Sequence, residues 1–349
     1  MLSWRGPSHP RRGGAEVYTQ RVLEGLVARG HEVSWYSASY SGVRPNEMNG
    51  IRLHYGLPGM WVYLSGYRWI TKQPIESYDL VIDQVNTFGF GATRTKHKVV
   101  CLIHQLADDV WDTEVKWPVN IFGRWLERKV LRLYENVPFM TMSQSTIDEL
   151  HAWGWRGIGF VTPTGIDHIY TVEKFKSPVL CFLGRFTAKA KRLDHALAIH
   201  QRVMEKFSDC ELWVIGRGPV PENVTNQANV KVMANVDDDE RDRALGEAWC
   251  CIATSVREGW GRMVTESGAA GTPTVGYDVP GLRDSIINHQ TGVLVPESVD
   301  AAAAAIVELF GQPSELARLG RNAQLEAAKV TWTESIDRFE KALISVLVT

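Results

Sequence analysis

A chain of 349 residues with 44% hydrophobic and 22% charged side chains has ordinary globular composition and is too long for one hydrophobic core. A formal net charge of −2, with no Lys/Arg-rich arm and no aromatic-basic recognition signature, excludes a general affinity for nucleic acid. The five cysteines (Cys101, Cys181, Cys210, Cys250 and Cys251) form no CxxC pair and sit mostly in apolar runs, which speaks against a disulfide frame or zinc site and for buried thiols in a reducing compartment.

The chain starts polar rather than signal-like, and no apolar run reaches the length of a membrane helix, so a cytoplasmic protein is expected. Only Met1-Leu2-Ser3-Trp4 precede a glycine-bearing loop at Gly13-Gly14, so the first strand is short and the sheet edge it would form is thin. A helix is predicted over Glu16–Arg29, stopping at Gly30, followed by a strand over Glu32–Ser37. Gly56–Pro74 shows no usable period and is expected to be irregular, with Trp61, Tyr63, Tyr67 and Trp69 either stacking on a ligand or lining a flap. Further strands are predicted at Leu80–Asp83, Val99–Ile103, Phe139–Met142 and Gly159–Val161. Helices are predicted over Asn120–Tyr134 and Thr146–Trp153, the second capped by the hydroxyl of Ser143 or Ser145. Thr162-Pro163-Thr164-Gly165-Ile166-Asp167 and the polar run to Ser177-Pro178 then read as an interdomain crossing.

Beyond it the alternation resumes: strand Val179–Leu183, helix Leu193–Phe207, strands Glu211–Ile215 and Val230–Met233, helix Asp238–Ala248 and strand Cys250–Ala253. Strand Thr274–Gly276, helix Val299–Phe310 and a last helix over Thr333–Leu347 complete the chain. Strands alternating with amphipathic helices define an α/β fold of doubly wound parallel sheets. The expected division is 1–167, 168–332 and a final helix, 333–349, packing back across the domain boundary.

Arg257-Glu258-Gly259-Trp260-Gly261-Arg262-Met263-Val264-Thr265-Glu266 is the most informative stretch. Two carboxylates eight positions apart flank a Gly-rich loop that runs into a helix, whose unpaired N–H groups suit an anionic or hydroxyl-rich ligand. A carboxylate would repel a phosphate, so Glu266 is expected to grip hydroxyls such as a ribose diol. The second loop, Gly184 to Arg192, follows a buried strand and gathers Arg185 and Lys191 at the sheet's carboxyl edge, where they could neutralise a diphosphate. Taken alone it would read as a solvated basic loop. Two anion-suited loops on one sheet edge point to a nucleotide. Gly216-Arg217-Gly218 lacks the third glycine of a dinucleotide fingerprint, which argues against NAD. Asp237-Asp238-Asp239-Glu240 imitates a metal site, but acids at a helix start complement the macrodipole and read as a capping turn. Asp108, Asp109 and Asp112 read equally as binding the hydroxyls of a ligand or as solvated loop charge. Lys116, Arg124, Arg128, Lys129 and Arg132 share a segment with Trp117, Phe122, Trp125 and Tyr134. Such a helix either rests on an anionic bilayer or, more commonly, buries its aromatics and solvates its cations.

Six segments spanning nearly the whole chain resemble the GT-B nucleotide-sugar glycosyltransferases, specifically the large retaining family 4. They are Gly13-Gly14-Ala15-Glu16, Leu102-Ile103-His104, Pro163 to Asp167, Gly184-Arg185 with Lys191, Gly216-Arg217-Gly218-Pro219, and Glu258 through Glu266. The resemblance implies two Rossmann-like domains facing each other across a cleft, the first taking the acceptor and the second the donor. It implies that Arg185 and Lys191 hold the donor diphosphate, that Glu266 binds the ribose and that Glu258 faces the transferred sugar. The backbone at Trp260, Gly261, Arg262, Met263 and Val264 would cradle sugar and phosphate, with Gly184 beside it. The base would lie against Gly216–Pro219 and Val232–Asp237, including Val236. Gly13 and Gly14 would approach donor phosphate or acceptor, and His104 would assist at the donor sugar. Departures are Asp284, where many relatives carry Glu, and Arg192, where Gly is common.

These implications make a retaining hexosyltransferase acting on a glycan or glycolipid acceptor, with no required cofactor or metal and Mg²⁺ accompanying the diphosphate only adventitiously. The expectation leans to GDP-mannose over UDP-glucose, because an Asp near a guanine amine suits the Val232–Asp237 segment. A nucleotide-sugar epimerase on the same fold and a non-catalytic two-lobed sugar binder are the rival readings. The sequence carries no signal for oligomeric state. Peripheral contact with the inner membrane face rests on the basic aromatic helix alone.

Overall fold

The computed structural model describes residues 1–348. It divides into two compact units. The first holds Met1–Asp108, Pro118–Gly165 and the helix from Trp332; the second holds Asp109–Trp117 and Ile166–Thr331.

In the first unit, strands β1 (Val33–Ala38), β2 (Glu47–Met48) and β3 (Ile51–Gly56) pair in the order β1-β3-β2. Strands β4 (Val81–Gln84), β5 (Val99–Ile103), β6 (Phe139–Thr141) and β7 (Gly159–Val161) pair in sequence order, all parallel. The short first segment is no thin edge: it lies between the two groups. Leu2 bridges both Tyr36 and Asp83, with Leu2 N–H donating to Ile82 at 2.8 Å and Ser3 N–H to Tyr36 at 3.0 Å. Four residues suffice because both neighbours supply a ladder, and Leu2 is buried with Tyr36, Val81 and Val99.

Gly56–Pro74 is not irregular either. Strand β3 ends in it, and Trp61–Thr71 is a helix that buries Val62, Gly66 and Ile70, one face at i, i+4, i+8. A Cβ on Gly66 would lie 2.4 Å from the Phe90 ring, so a glycine lets the helix sit down on the sheet. Trp69 stacks on Tyr36 with centroids 5.0 Å apart and Tyr63 lies 4.8 Å from Phe90, so those aromatics are core, while Trp61 stays 66% exposed. Ser143 does stand at the N-cap of the helix Gln144–Ala152, but its hydroxyl engages the Thr146 hydroxyl at 2.9 Å rather than a helix N–H. The last helix, Trp332–Val348, packs on the helix Gly14–Ala28.

The second unit is a six-stranded parallel sheet in the order β10-β9-β8-β11-β12-β13. Its strands are β8 (Val179–Leu183), β9 (Glu211–Gly216), β10 (Val230–Ala234), β11 (Cys250–Ala253), β12 (Thr274–Tyr277) and β13 (Gly292–Val295). Continuous apolar strands form here because both faces are covered. Leu180, Phe182, Leu212, Val214 and Ile252 pack on one side, and Val179, Cys181, Trp213, Ile215 and Cys251 on the other. The strand order reverses between β8 and β11, which opens a crevice at their carboxyl ends. All five cysteines are free and buried.

Candidate functional site

Both loops singled out for their chemistry leave the sheet at that reversal. The loop after β8 turns through Lys189–Lys191, and Arg192 takes a left-handed conformation at φ 50°. That backbone explains why a glycine would be comfortable there; Arg192 is held by Glu297, whose carboxylate accepts from its guanidinium at 2.5 Å. The loop after β11 is bolted to it. Thr254 Oγ1 donates to the Lys191 carbonyl at 2.8 Å, and Val256 N–H donates to the Ala190 carbonyl at 2.9 Å.

This bolting brings Lys191 Nζ into a hydrogen-bonded ion pair with Glu258 Oε1, which also accepts from Ser255 Oγ at 2.5 Å. Glu258 is largely withdrawn from water and Lys191 less so, at 14% and 32% side-chain exposure. Beneath them, Gly281 has φ 83°, and a Cβ there would stand 2.2 Å from the Glu258 carbonyl. Asp284 Oδ2 accepts from Gly281 N–H at 3.0 Å, so the shorter acid still closes that turn. Gly261, at φ 80°, opens the helix Arg262–Ala269. Lys191, Ser255, Glu258, Gly261, Met263 and Val264 line one small hollow. A cation, a carboxylate and a helix's amide end therefore share one space, and such an arrangement can hold an anion beside a hydroxylated group.

The other expected residues distribute around it. Gly184 packs against the Lys191 stem, and a Cβ on Gly216 would stand 2.1 Å from the Gly184 carbonyl, so β9 must end in glycine for the loops to meet. Asn235 N–H donates to the Gly216 carbonyl at 2.8 Å, which places the segment bearing Val236 beside it. Asp237 Oδ1 caps the next helix by accepting from Glu240 N–H at 2.8 Å. Glu266 accepts from Arg262 Nη2 at 2.8 Å, and Trp260 Nε1 donates to Thr265 Oγ1 at 2.8 Å, turning the indole back on its own helix. Arg185 is solvent-exposed and stands outside the hollow's lining. Among the described residues no cluster of three metal-ligating side chains is present.

In the first unit, Gly13 starts the helix Gly14–Ala28, its N–H donating to Glu16 Oε2 at 2.6 Å. Tyr18 on that helix meets the His104 ring edge-on at 5.5 Å. His104 Nε2 is buried with no hydrogen-bond partner, and burial lowers its pKa to about 4, so the imidazole is neutral at pH 7. Asp108 Oδ1 accepts from Arg124 Nε at 3.1 Å and lies 3.4 Å from Arg128 Nη2. In the second unit, Asp109 lies 3.7 Å from the buried Arg257, and Glu114 accepts from Ala190 N–H at 3.1 Å. Those loop acids are therefore engaged with protein groups.

Three residues that the sequence pattern does not single out complete the site: Thr254, Ser255 and Gly281. Ser255 precedes Glu258 by three positions, a spacing that lets a hydroxyl reach a turn's carboxylate, but many such pairs occur by chance.

Two family models match, one on each half: Glycosyltransferase Family 4 over residues 12–169 and Glycosyl transferases group 1 over residues 177–312. A phosphatidyl-myo-inositol mannosyltransferase of Mycobacterium leprae is 33% identical over 136 residues, 37% of this chain and 36% of that protein. A glycogen synthase of Mycobacterium tuberculosis is 27% identical over 59% of this chain and 52% of its own length, so the curated relatives are matched over only part of their length. Among solved structures, the sucrose-phosphate synthase of Thermosynechococcus elongatus superposes with a TM-score of 0.79 over 99% of this chain and 98% of that one, at 18% identity. At that identity the likeness shows a shared fold, and it extends the length of the chain. Each half of the chain thus matches a glycosyltransferase family model, and the chain has the GT-B fold of two Rossmann-like domains.

Proposed function

We propose that this chain is a retaining hexosyltransferase that takes mannose from GDP-mannose and delivers it to a hydroxyl of a glycan or glycolipid. The observation that carries the reading is the Lys191–Glu258 pair beside the amide end of the helix Arg262–Ala269. A sugar diphosphate satisfies both partners at once: the pyrophosphate takes the lysine and the helix amides, and the sugar hydroxyls take the carboxylate. Arg185, exposed at the same loop, adds a second cation when the donor binds.

In the reaction, the bond from the anomeric carbon to the phosphate oxygen breaks while the acceptor oxygen bonds to that carbon on the same face. The acceptor's proton passes to the departing phosphate oxygen, so no separate base is needed. Charge building on the diphosphate is met by groups already in place, an electrostatic device of the oxyanion-hole kind. Glu258 is assigned to sugar hydroxyls rather than to nucleophilic attack, because its carboxylate is already committed to Ser255 and Lys191. His104 is assigned a hydrogen bond to a sugar hydroxyl, which its neutral, buried Nε2 can make only once the bound donor uncovers it. The cations come from the chain itself, so the reading requires no metal, and turnover is expected to survive a chelator. The lean to mannose is supported by the likeness to the phosphatidyl-myo-inositol mannosyltransferase of Mycobacterium leprae. Asp237 keeps one carboxylate oxygen outside its helix cap for a guanine amine.

A donor panel read by nucleotide release tests this. GDP release from GDP-mannose in excess of UDP release from UDP-glucose is expected, with the donor's anomeric configuration kept in the product by NMR. Preference for a UDP-sugar would reassign the donor. An inverted product would remove the retaining assignment, and release from no donor would remove the enzyme.

A further inference from the structure

The helix Val119–Arg132 buries Gly123, Glu127 and Leu131 along one side. Glu127 is the only carboxylate in that helix. It faces inward, accepting from Ala107 N–H at 2.8 Å and Asp108 N–H at 3.0 Å. The opposite side carries Ile121, Phe122 and Trp125, which are 57%, 59% and 53% exposed. Arg128, Lys129 and Arg132, also exposed, are interleaved with them at helical spacing. The Phe122 and Trp125 rings lie 5.7 Å apart, and Lys129 Nζ sits 5.9 Å from the Trp125 ring centroid. Arg124 and Arg128 share Asp108 on the near flank, so Lys129 and Arg132 carry the outward charge. An open groove runs among these side chains.

We infer that this face docks on an anionic phospholipid bilayer. Burying one stripe against its own unit leaves the helix lying flat, with large apolar groups and cations side by side on the outer face and no outward carboxylate. A protein groove would favour an apolar lining, whereas here Lys129 sits beside the Trp125 ring and Arg124, Arg128 and Arg132 line the same groove as Ile121 and Trp125. At a bilayer the two sets separate by depth: Ile121, Phe122 and Trp125 enter the acyl boundary while long cationic side chains reach back to headgroup phosphates. Among the described residues no helix is long and apolar enough to cross a membrane, so the contact is peripheral. The inference is independent of the donor chemistry and needs no turnover to test it.

Co-sedimentation of the whole chain with vesicles provides the test. The protein is expected to pellet with phosphatidylcholine vesicles containing phosphatidylglycerol, to stay in solution with phosphatidylcholine alone, and to release as salt rises. Lys129→Ala and Arg132→Ala are each expected to weaken binding about fivefold, and Trp125→Ala to weaken it further. All three alter exposed side chains, and the two charge variants keep the test open should the Trp125 variant fold poorly. Equal binding to both vesicle kinds, or binding to neither, would overturn the inference. So would self-association in sedimentation velocity that Trp125→Ala abolishes, since a second copy of the chain would then be the occupant.

Discussion

Lys191 and Glu258 satisfy each other, with Ser255 holding the carboxylate in place. On the proposed reading, an incoming diphosphate breaks that pair, and the glutamate left beside it opposes the new anion unless a sugar hydroxyl occupies it. The same reading separates donor from free nucleotide: the donor would find a partner for Glu258, while the nucleotide alone would not. Glu258→Gln removes the competing charge at constant shape. It is expected to tighten nucleoside diphosphate binding about threefold to fivefold, the size of a partly exposed ion pair, while lowering transfer by about a hundredfold or more. Calorimetry and nucleotide release measure the two effects; weaker nucleotide binding in this variant would contradict the role given to the pair. Glu266, by contrast, already has Arg262 as an i+4 neighbour, an arrangement that fixes its carboxylate without filling the hollow.

At the scale of the element, close backbone approach at the sheet's carboxyl edge sets the site. Strand β9 ends at Gly216 because any side chain there would strike the Gly184 carbonyl, and Phe186 N–H bonds the Arg217 carbonyl at 3.2 Å across the same gap. Gly216→Ala is expected to force the two loops apart, destabilising the protein by about 1–3 kcal/mol and weakening nucleotide binding; an unchanged urea midpoint would count against it. This edge was legible in the sequence because apolar strands, glycine turns and cations recur there at short range. Strands β5, β7, β8 and β11 stand where the apolar runs place them. The helix Trp61–Thr71 was not legible: its inward positions include Gly66, and its aromatics fall on more than one side, which blurs the period. Nor could the central place of Met1–Trp4 be read, since a four-residue segment has no period and is held by two neighbours distant in sequence. Thr254 and Ser255 escape for a similar reason, their bonds to Lys191 and Glu258 depending on how two loops meet.

Over the whole molecule, the chain lends Asp109–Trp117 to the second unit while making the first, builds the rest of the second from Ile166, and returns to the first with the helix from Trp332. That return is built into the core: Phe339 is fully buried against Tyr18, Ser335 Oγ donates to the Pro163 carbonyl at 2.7 Å, and Gly25 leaves room for Ile336. Phe339→Ala is expected to cost about 3–5 kcal/mol in a urea titration, and a loss below about 1 kcal/mol would mean that the last helix is dispensable to the first unit. The central claim concerns the other unit, that its hollow recognises a pyrophosphate through Lys191. Calorimetry comparing GDP with GMP, in the natural chain and in Lys191→Ala, tests it most directly. The diphosphate is expected to bind roughly tenfold to a hundredfold more tightly than the monophosphate, a gain matching one or two charge-assisted hydrogen bonds, and Lys191→Ala to erase most of that difference. Equal affinity for the two nucleotides, or a preference for GDP undiminished in the variant, would contradict it.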